Sequence, residues 1–305
     1  MKTLVTGATG LLGTALVAEL RHAGDDVVAL GSHDADLRDT ASAEAIFARH
    51  RPEIVYHLAG RVRGIMGNAG AQGVAMLDNL RINTNTIEAA RRVGVRKVIA
   101  MGSTAIYADA VATPMREDDV WAGPPHKSEA GYSHAKLAML AQLDAYREQW
   151  GLDFAYCVCT NLFGPNDRFD ERHGHVIPSL ISKFHRAATC GGRVTVWGSG
   201  TPTRDFLHVG DAAAALRRIG AAGSGPLNVA SGRSVSIRDV AEMIAEVAGY
   251  RREIEWDTSK PDGQLHRAYD VSRLRALGVL PGRDLRDGLA DTYAWFSTHA
   301  DEARR

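Results

Sequence analysis

The chain has 305 residues, 45% of them hydrophobic, and its 36 lysines and arginines are matched by 36 aspartates and glutamates. That length and apolar content can bury a large core, as one two-lobed unit or two modest domains. A formal net charge of zero excludes a general pull onto nucleic acid or an anionic membrane, and no run of about 18 apolar residues is present to span one.

The opening "MKTLVTGATG" passes straight into a strand-like run with no apolar leader, so the expected location is the cytoplasm. Short runs rich in Val, Ile, Leu and Ala ("TLVTGA", "DVVAL", "IVYHLAG", "KVIAMGS", "FAYCVCTNLFG") predict strands, and amphipathic patterns over 11–23, 41–49 and 77–93 predict helices between them. Strands alternating with helices of that length predict an α/β fold, a Rossmann-type doubly wound parallel sheet spanning residues 1–165. Cys157 and Cys159 lie two apart in the last strand, share a face, and read as free thiols packed in the core.

After about residue 165 the texture changes to "HVIPSLISKFHRA", "VTVWGSGTPTRDFLHV" and "SVSIRDVAEMIAEVAGY". This predicts a smaller C-terminal α/β substrate lobe over 166–305, with the chain crossing back to the first sheet around 204–230. Ser236 and Asp239 form a capping pattern for the helix in the last of these three stretches, which Gly249 stops.

The turn "VTGATGLLGTALV" sets Gly7, Gly10 and Gly13 between first strand and first helix. The first permits a tight turn, the second lets a pyrophosphate approach the backbone, and the third lets helix and strand pack closely. With Thr9, Leu11 and Leu12 they form a dinucleotide cradle at a helix N-terminus, whose free N–H groups and dipole favour phosphate. At the end of the second strand an acidic residue normally holds a ribose 2′-hydroxyl, whereas small residues with donors accept a 2′-phosphate. Here Gly31, Ser32 and His33 occupy that place, which points to NADP(H); the alternative is NAD, with Asp34 or Asp36 on the 2′-hydroxyl.

Tyr132 and Lys136 in "GYSHAKLAML" are four apart, one above the other on a helix. An ammonium beside a phenol lowers the phenol's pKa, so that it serves as acid or base toward a carbonyl or hydroxyl. Together with the glycine turn and Ser103 at a strand end, this three-part pattern resembles the extended short-chain dehydrogenase/reductases, which act mainly on nucleotide sugars. The resemblance covers nearly the whole chain, from "VTGATGLLG" through "YHLAG", "MGSTAIY" and "YSHAK" to "RDFLHVGDAA". It implies that Ser103 hydrogen-bonds the reacting oxygen, Tyr132 is the acid/base and Lys136 orients the nicotinamide ribose. It further implies that Leu58, Ala59 and Gly60 line the cofactor, that Asn161 and Leu162 border the nicotinamide, and that the enzyme is a homodimer packed through 77–93 and 132–150. No metal is called for.

Within that family the segments "RVRGIMGN", "TNLFGPNDRF", "HVIPSLISKFH", "VWGSGTPTRDFLHV" and "SKPDG" are similar to the GDP-L-fucose synthases, which invert C3 and C5 of a GDP-4-keto-6-deoxymannose and then reduce C4 with NADPH. The similarity places Lys183, Trp197, Arg204 and Arg267 on substrate. An indole stacks on a base and cations clamp a diphosphate, although Trp197 also reads as core and "TPTRDF" as an exposed loop. Two further proton carriers are implied for inversion: His175, which is present, and a cysteine at residue 105, where this chain has alanine. The cofactor arginines implied by the same similarity are absent, with Thr9 and the Gly31–His33 run in their places. A methyl group carries no proton, so the expected activity is 4-ketoreduction of a GDP-linked sugar without double epimerisation; the alternatives are a nucleotide-sugar epimerase with retained NAD(P) and a non-enzymatic dinucleotide sensor.

Overall fold

The computed structural model describes residues 1–62, 70–172, 174–279 and 282–304, so most of "RVRGIMGN" lies outside the described residues. The first half runs β1 (Lys2–Thr6), α1 (Leu11–His22), β2 (Asp26–Leu30), α2 (Thr40–His50), β3 (Ile54–His57), α3 (Gln72–Arg92), β4 (Lys97–Met101), α4 (Ala130–Trp150) and β5 (Asp153–Cys159). There follow β6 (Asn161–Phe163), α5 (Val176–Cys190), β7 (Thr195–Trp197), β8 (Thr203–His208), α6 (Val209–Ala222) and β9 (Gly225–Val229). The chain closes with β10 (Ser234–Ser236), α7 (Ile237–Val247), β11 (Glu255–Asp257), α8 (Ser272–Ala276) and α9 (Leu285–His299).

Among the described residues, six strands form a wholly parallel sheet in the order β2-β1-β3-β4-β5-β9. All four residues of β3 and the last six of β5 are buried, as a sheet covered by helices on both faces requires. Helix α1 packs on α6, and α3 on α4. Cys157 and Cys159 are buried free thiols in this core, and burial pushes Cys157 up to about 12, which leaves it inert.

Two boundaries differ from the sequence reading. Helix α3 starts five residues before 77, because Gln72 is anchored across the fold: its Oε1 accepts from Gly131 N at 2.7 Å and its Nε2 donates to Ser128 O at 2.6 Å. "FAYCVCTNLFG" is two strands, divided at Thr160. There the backbone N–H donates to Val229 O at 3.1 Å and the hydroxyl to Asp205 O at 2.9 Å, turning the chain out of the first sheet.

Strand β6 then pairs with β8, and β8 with β10, in a small second sheet, while β7 and β11 make a two-stranded parallel ribbon. Phe169, Phe184, Ile181 and Phe296 centre a second core beneath them. Segment α6–β9 returns to the first sheet, where Ala155 of β5 pairs with Gly225. The "TPTRDF" segment is no exposed loop: Arg204 sits in β8, half-buried, because the pairing of Ser236 with Thr203 draws it into the sheet. Ser236 caps α7, its hydroxyl accepting from Asp239 N at 3.0 Å, and Gly249 follows with φ +69°.

The glycine turn is held by steric necessity. Gly7 has φ +69°, and a Cβ there would lie 2.8 Å from Ala59 N; a Cβ on Gly13 would lie 2.1 Å from Gly7 O. Both neighbours are backbone, which cannot swing aside. Gly13→Ala is therefore expected to destabilise by about 2–3 kcal/mol, as overpacking does. Gly73→Ala in α3, where nothing lies within 4 Å, is expected to be neutral or slightly stabilising. Thermal melts of the two variants check the contrast, and equal losses would contradict it.

Candidate active site

The cradle is assembled from three loops at the C-terminal ends of the first three strands. Gly10 is the N-cap of α1 and offers no side-chain cap, so the first-turn N–H groups stay open for a phosphate. Ala59 N packs against Gly7 and donates to Thr6 Oγ1 at 3.2 Å, bringing Leu58, Ala59 and Gly60 beside the turn. Ser32 and His33 are exposed after β2. The neighbouring carboxylates are committed elsewhere: Asp34 accepts from Gly31 N at 2.7 Å, and Asp36 is gripped by Arg38 at 2.9 and 2.7 Å. That Arg38 pair holds Asp36 down to about 2. The cradle therefore fits a dinucleotide; of the two carboxylates, Asp36 is paired with Arg38 and Asp34 has one oxygen on Gly31 N.

Ser103 lies two residues past β4 and caps a single 3-10 turn, Thr104–Ile106, by accepting from Ala105 N at 3.2 Å. Gly102 just before it leaves room for Tyr156, whose ring carbon would lie 2.5 Å from a Cβ there and whose hydroxyl donates to Lys136 O at 2.9 Å. This places Lys136, only 2% exposed, beneath the site, with Nζ donating to Met101 O at 2.7 Å and lying 5.8 Å from the centre of the Tyr132 ring. Burial lowers the Lys136 pKa to about 8. Ser103, Tyr132 and Lys136 thus come together.

The expected lowering of the Tyr132 pKa does not occur. Burial raises it, with the Glu129 carboxylate adding to the rise, and the hydrogen bond from Ser103 opposes it. The reason is geometric: Lys136 points to the Met101 carbonyl and lies over the ring, not at the hydroxyl. Tyr132 accordingly holds its proton at neutral pH, as an acid must.

Sequence reasoning missed the polar chain behind this triad. His57 is fully buried; its Nδ1 pairs with Thr6 Oγ1 at 2.9 Å and its Nε2 with Asn83 Oδ1 at 3.0 Å, while Asn83 Nδ2 donates to Ala135 O at 3.3 Å. Burial holds His57 down to about 3, so it is neutral. It missed Glu129 as well, a half-buried carboxylate three before Tyr132 whose pKa burial raises. Alternating polarity offers no cue for either.

The residues assigned to substrate fall in two clusters. Arg267, 8% exposed, donates from Nη1 to Thr104 O at 3.0 Å, so it grips the turn that carries Ala105; its Nη2 lies 3.7 Å from the Asp109 carboxylate, and its buried Nε has no partner among the described residues. Arg204 is pinned by Thr203 O at 2.8 Å and Gln264 O at 2.7 Å; burial lowers its pKa, and the charge of Arg267 lowers it further. In the other cluster Trp197 is 51% exposed, which is not core packing. Lys183 and Lys260 stand 5.9 and 5.8 Å from its ring centre. Lys260 lies in "SKPDG" and was not singled out in the sequence.

Asn161 is tied to Asp205 O at 3.0 Å, and Leu162 is half-buried against the first core. His175 begins α5 and is joined to none of the others by a contact: among the described residues its ring has no hydrogen-bond partner. Desolvation pushes its pKa below the ordinary imidazole value.

A model of the NAD dependent epimerase/dehydratase family matches residues 3–230. The chain belongs to that family. Over its full length it is 37% identical to a probable GDP-L-fucose synthase 1 of Oryza sativa subsp. japonica, covering 94% of that protein. A GDP-L-fucose synthetase of Naegleria fowleri, solved bound to NADP, superposes with a TM-score of 0.92 at 31% identity, over 99% of this chain and 96% of that one. A GDP-6-OMe-4-keto-L-xylo-heptose reductase of C. jejuni also gives a TM-score of 0.92, at 25% identity over 98% of both chains.

In the loop after β6, Asp167 is 4% exposed; one carboxylate oxygen accepts from Arg168 N at 2.7 Å and the other has no partner. Burial pushes its pKa from 3.8 up to about 7. The folded state thus holds this proton to higher pH than the unfolded chain, so the destabilisation is absent below about pH 4, grows as the pH rises and is complete above about 7. Asp167→Asn should melt progressively higher relative to the parent from pH 4 to 7.5; a difference independent of pH would contradict this.

Proposed function

We propose that this chain is an NADPH-dependent 4-ketoreductase of a GDP-linked 4-keto-6-deoxyhexose, with double epimerisation lost at residue 105. The observation that carries the reading is the residue in the turn that Ser103 caps: burial keeps the Tyr132 phenol protonated, with Ser103 acting on it, while Ala105, whose N–H that serine accepts, has no proton to give. NADPH, when bound, supplies hydride to C4. Tyr132 delivers the proton to the ketone oxygen, Ser103 steadies that oxygen, and the buried Lys136 charge favours the phenolate left behind.

The substrate diphosphate accounts for the cationic rim. Arg204 and Arg267 repel each other and Arg267 Nε is buried without a partner, a strain that a dianion between them relieves. Trp197, open to solvent between two ammonium groups, offers a stacking face for the base. The NADP choice is supported by the pairing of Asp36 with Arg38 and by the Naegleria relative solved with NADP. Val74, Met76 and Leu77 leave apolar surface on α3, which favours a homodimer through α3 and α4.

One observation favours residual epimerisation. Glu129 is unpaired among the described residues, charge-coupled to Tyr132 and Arg267, and holds its proton to higher pH than an ordinary glutamate. The test is nicotinamide absorbance with GDP-4-keto-6-deoxymannose. The parent should oxidise NADPH in proportion to sugar reduced, and Tyr132→Phe should lose at least about 100-fold in kcat. A parent that leaves NADPH unoxidised would refute the reductase assignment.

A further inference from the structure

A polar cleft of about 260 Å³ lies between the glycine turn and the C-terminal segment, lined by Thr9, Asn166, Trp295, His299, Glu302 and Arg304 among others. Thr9 is the turn residue just before the N-cap of α1, and its methyl group is packed toward Gly31, 3.0 Å from a Cβ placed there. The cleft therefore opens on the dinucleotide cradle at the end nearest β2.

The cradle itself is short of positive charge. Neither 7–13 nor 31–33 contains lysine or arginine, and Arg38 is spent on Asp36. The opposite wall supplies what is missing. Arg304 is fixed at both ends: its carbonyl accepts from Phe169 N at 2.8 Å, and its Nη2 donates to Asn166 O. The remaining guanidinium donors have no partner among the described residues. His299 is stacked on Trp295 at 4.7 Å and 7°, with Nδ1 donating to the Trp295 carbonyl at 2.9 Å, so the ring packs the wall and adds no charge to it. Glu302 on the same wall and Asp167, whose carboxyl feels the Arg304 charge, oppose it.

We propose that Arg304 is the cofactor-phosphate cation of this protein, acting across the cleft from Thr9. The proposal rests on the dinucleotide reading above. A guanidinium held by its own carbonyl and one Nη loses little further freedom on meeting a phosphate, and charge-assisted bonds of this kind are the strong ones. Glu302 weakens the same interaction, so the two side chains make predictions of opposite sign.

The experiment is equilibrium binding of NADPH and of NADH to the full chain, followed by nicotinamide fluorescence, for the parent, Arg304→Ala, Arg304→Lys and Glu302→Gln, with a thermal melt of each. Arg304→Ala should raise the Kd for NADPH about tenfold, Arg304→Lys should restore part of it, and Glu302→Gln should tighten binding. A loss confined to NADPH identifies the 2′-phosphate as the group held; an equal loss for NADH identifies the pyrophosphate. Unchanged Kd values in Arg304→Ala overturn the proposal while the cofactor reading stands. Should Arg304→Ala not fold, weaker or unaltered binding by Glu302→Gln overturns it. A parent that binds neither nucleotide overturns both.

Discussion

A buried line of hydrogen bonds joins the cofactor cradle to the catalytic helix, and every donor in it has one possible direction. Ala59 N–H gives to the Thr6 hydroxyl, the hydroxyl to His57 Nδ1, His57 Nε2–H to Asn83 Oδ1, and Asn83 Nδ2–H to the carbonyl of Ala135. The sequence of donors works only with a neutral imidazole in one tautomer, which burial enforces. Ala135 precedes Lys136, and Ala59 abuts Gly7, so the line fixes the distance between the glycine turn and the lysine beneath the tyrosine. A half-satisfied line of this kind would be worse than an apolar one, which is why it also specifies the packing of α3 between them.

Charge is distributed around that frame in a way that suits one chemistry. The floor of the site is neutral or reluctantly charged: Tyr132 keeps its proton, Lys136 is lowered to about 8, and residue 105 is a methyl. The rim is cationic, with Arg204 and Arg267 at the turn and Lys183 and Lys260 about an open indole. A site that delivers one proton to a ketone and grips a diphosphate needs this division. A site that removes protons from carbon on two faces needs further titratable groups on the floor, and Glu129 and His175 are what the chain offers.

Much of this was legible from residues alone. The parallel sheet follows from the alternation of apolar runs with helical patterns, and the turn from three glycines whose Cβ positions are blocked by backbone. The triad was legible because Tyr132 and Lys136 share a helix face. What was not legible depends on long-range partners. Gln72 lengthens α3 only because Ser128 and Gly131 are there to receive it. Arg204 reads as loop because "TPTRDF" carries little apolar alternation and its pairing with β10 is remote in sequence, and the Tyr132 pKa does not follow from spacing because spacing cannot say that the ammonium turns to Met101. His57 and Asn83 are polar residues in apolar periodicity, and only their mutual contact explains their burial.

Chemistry confined to C4, as proposed for this site, leaves a signature in solvent deuterium. Turnover of GDP-4-keto-6-deoxymannose with NADPH in deuterated water, followed by NMR of the product, should leave C3 and C5 carrying protium. Ala105→Cys, which returns a proton carrier to the turn gripped by Arg267, is the matched comparison. Deuterium at C3 or C5 in the parent product would contradict the account and transfer the missing role to Glu129 or His175.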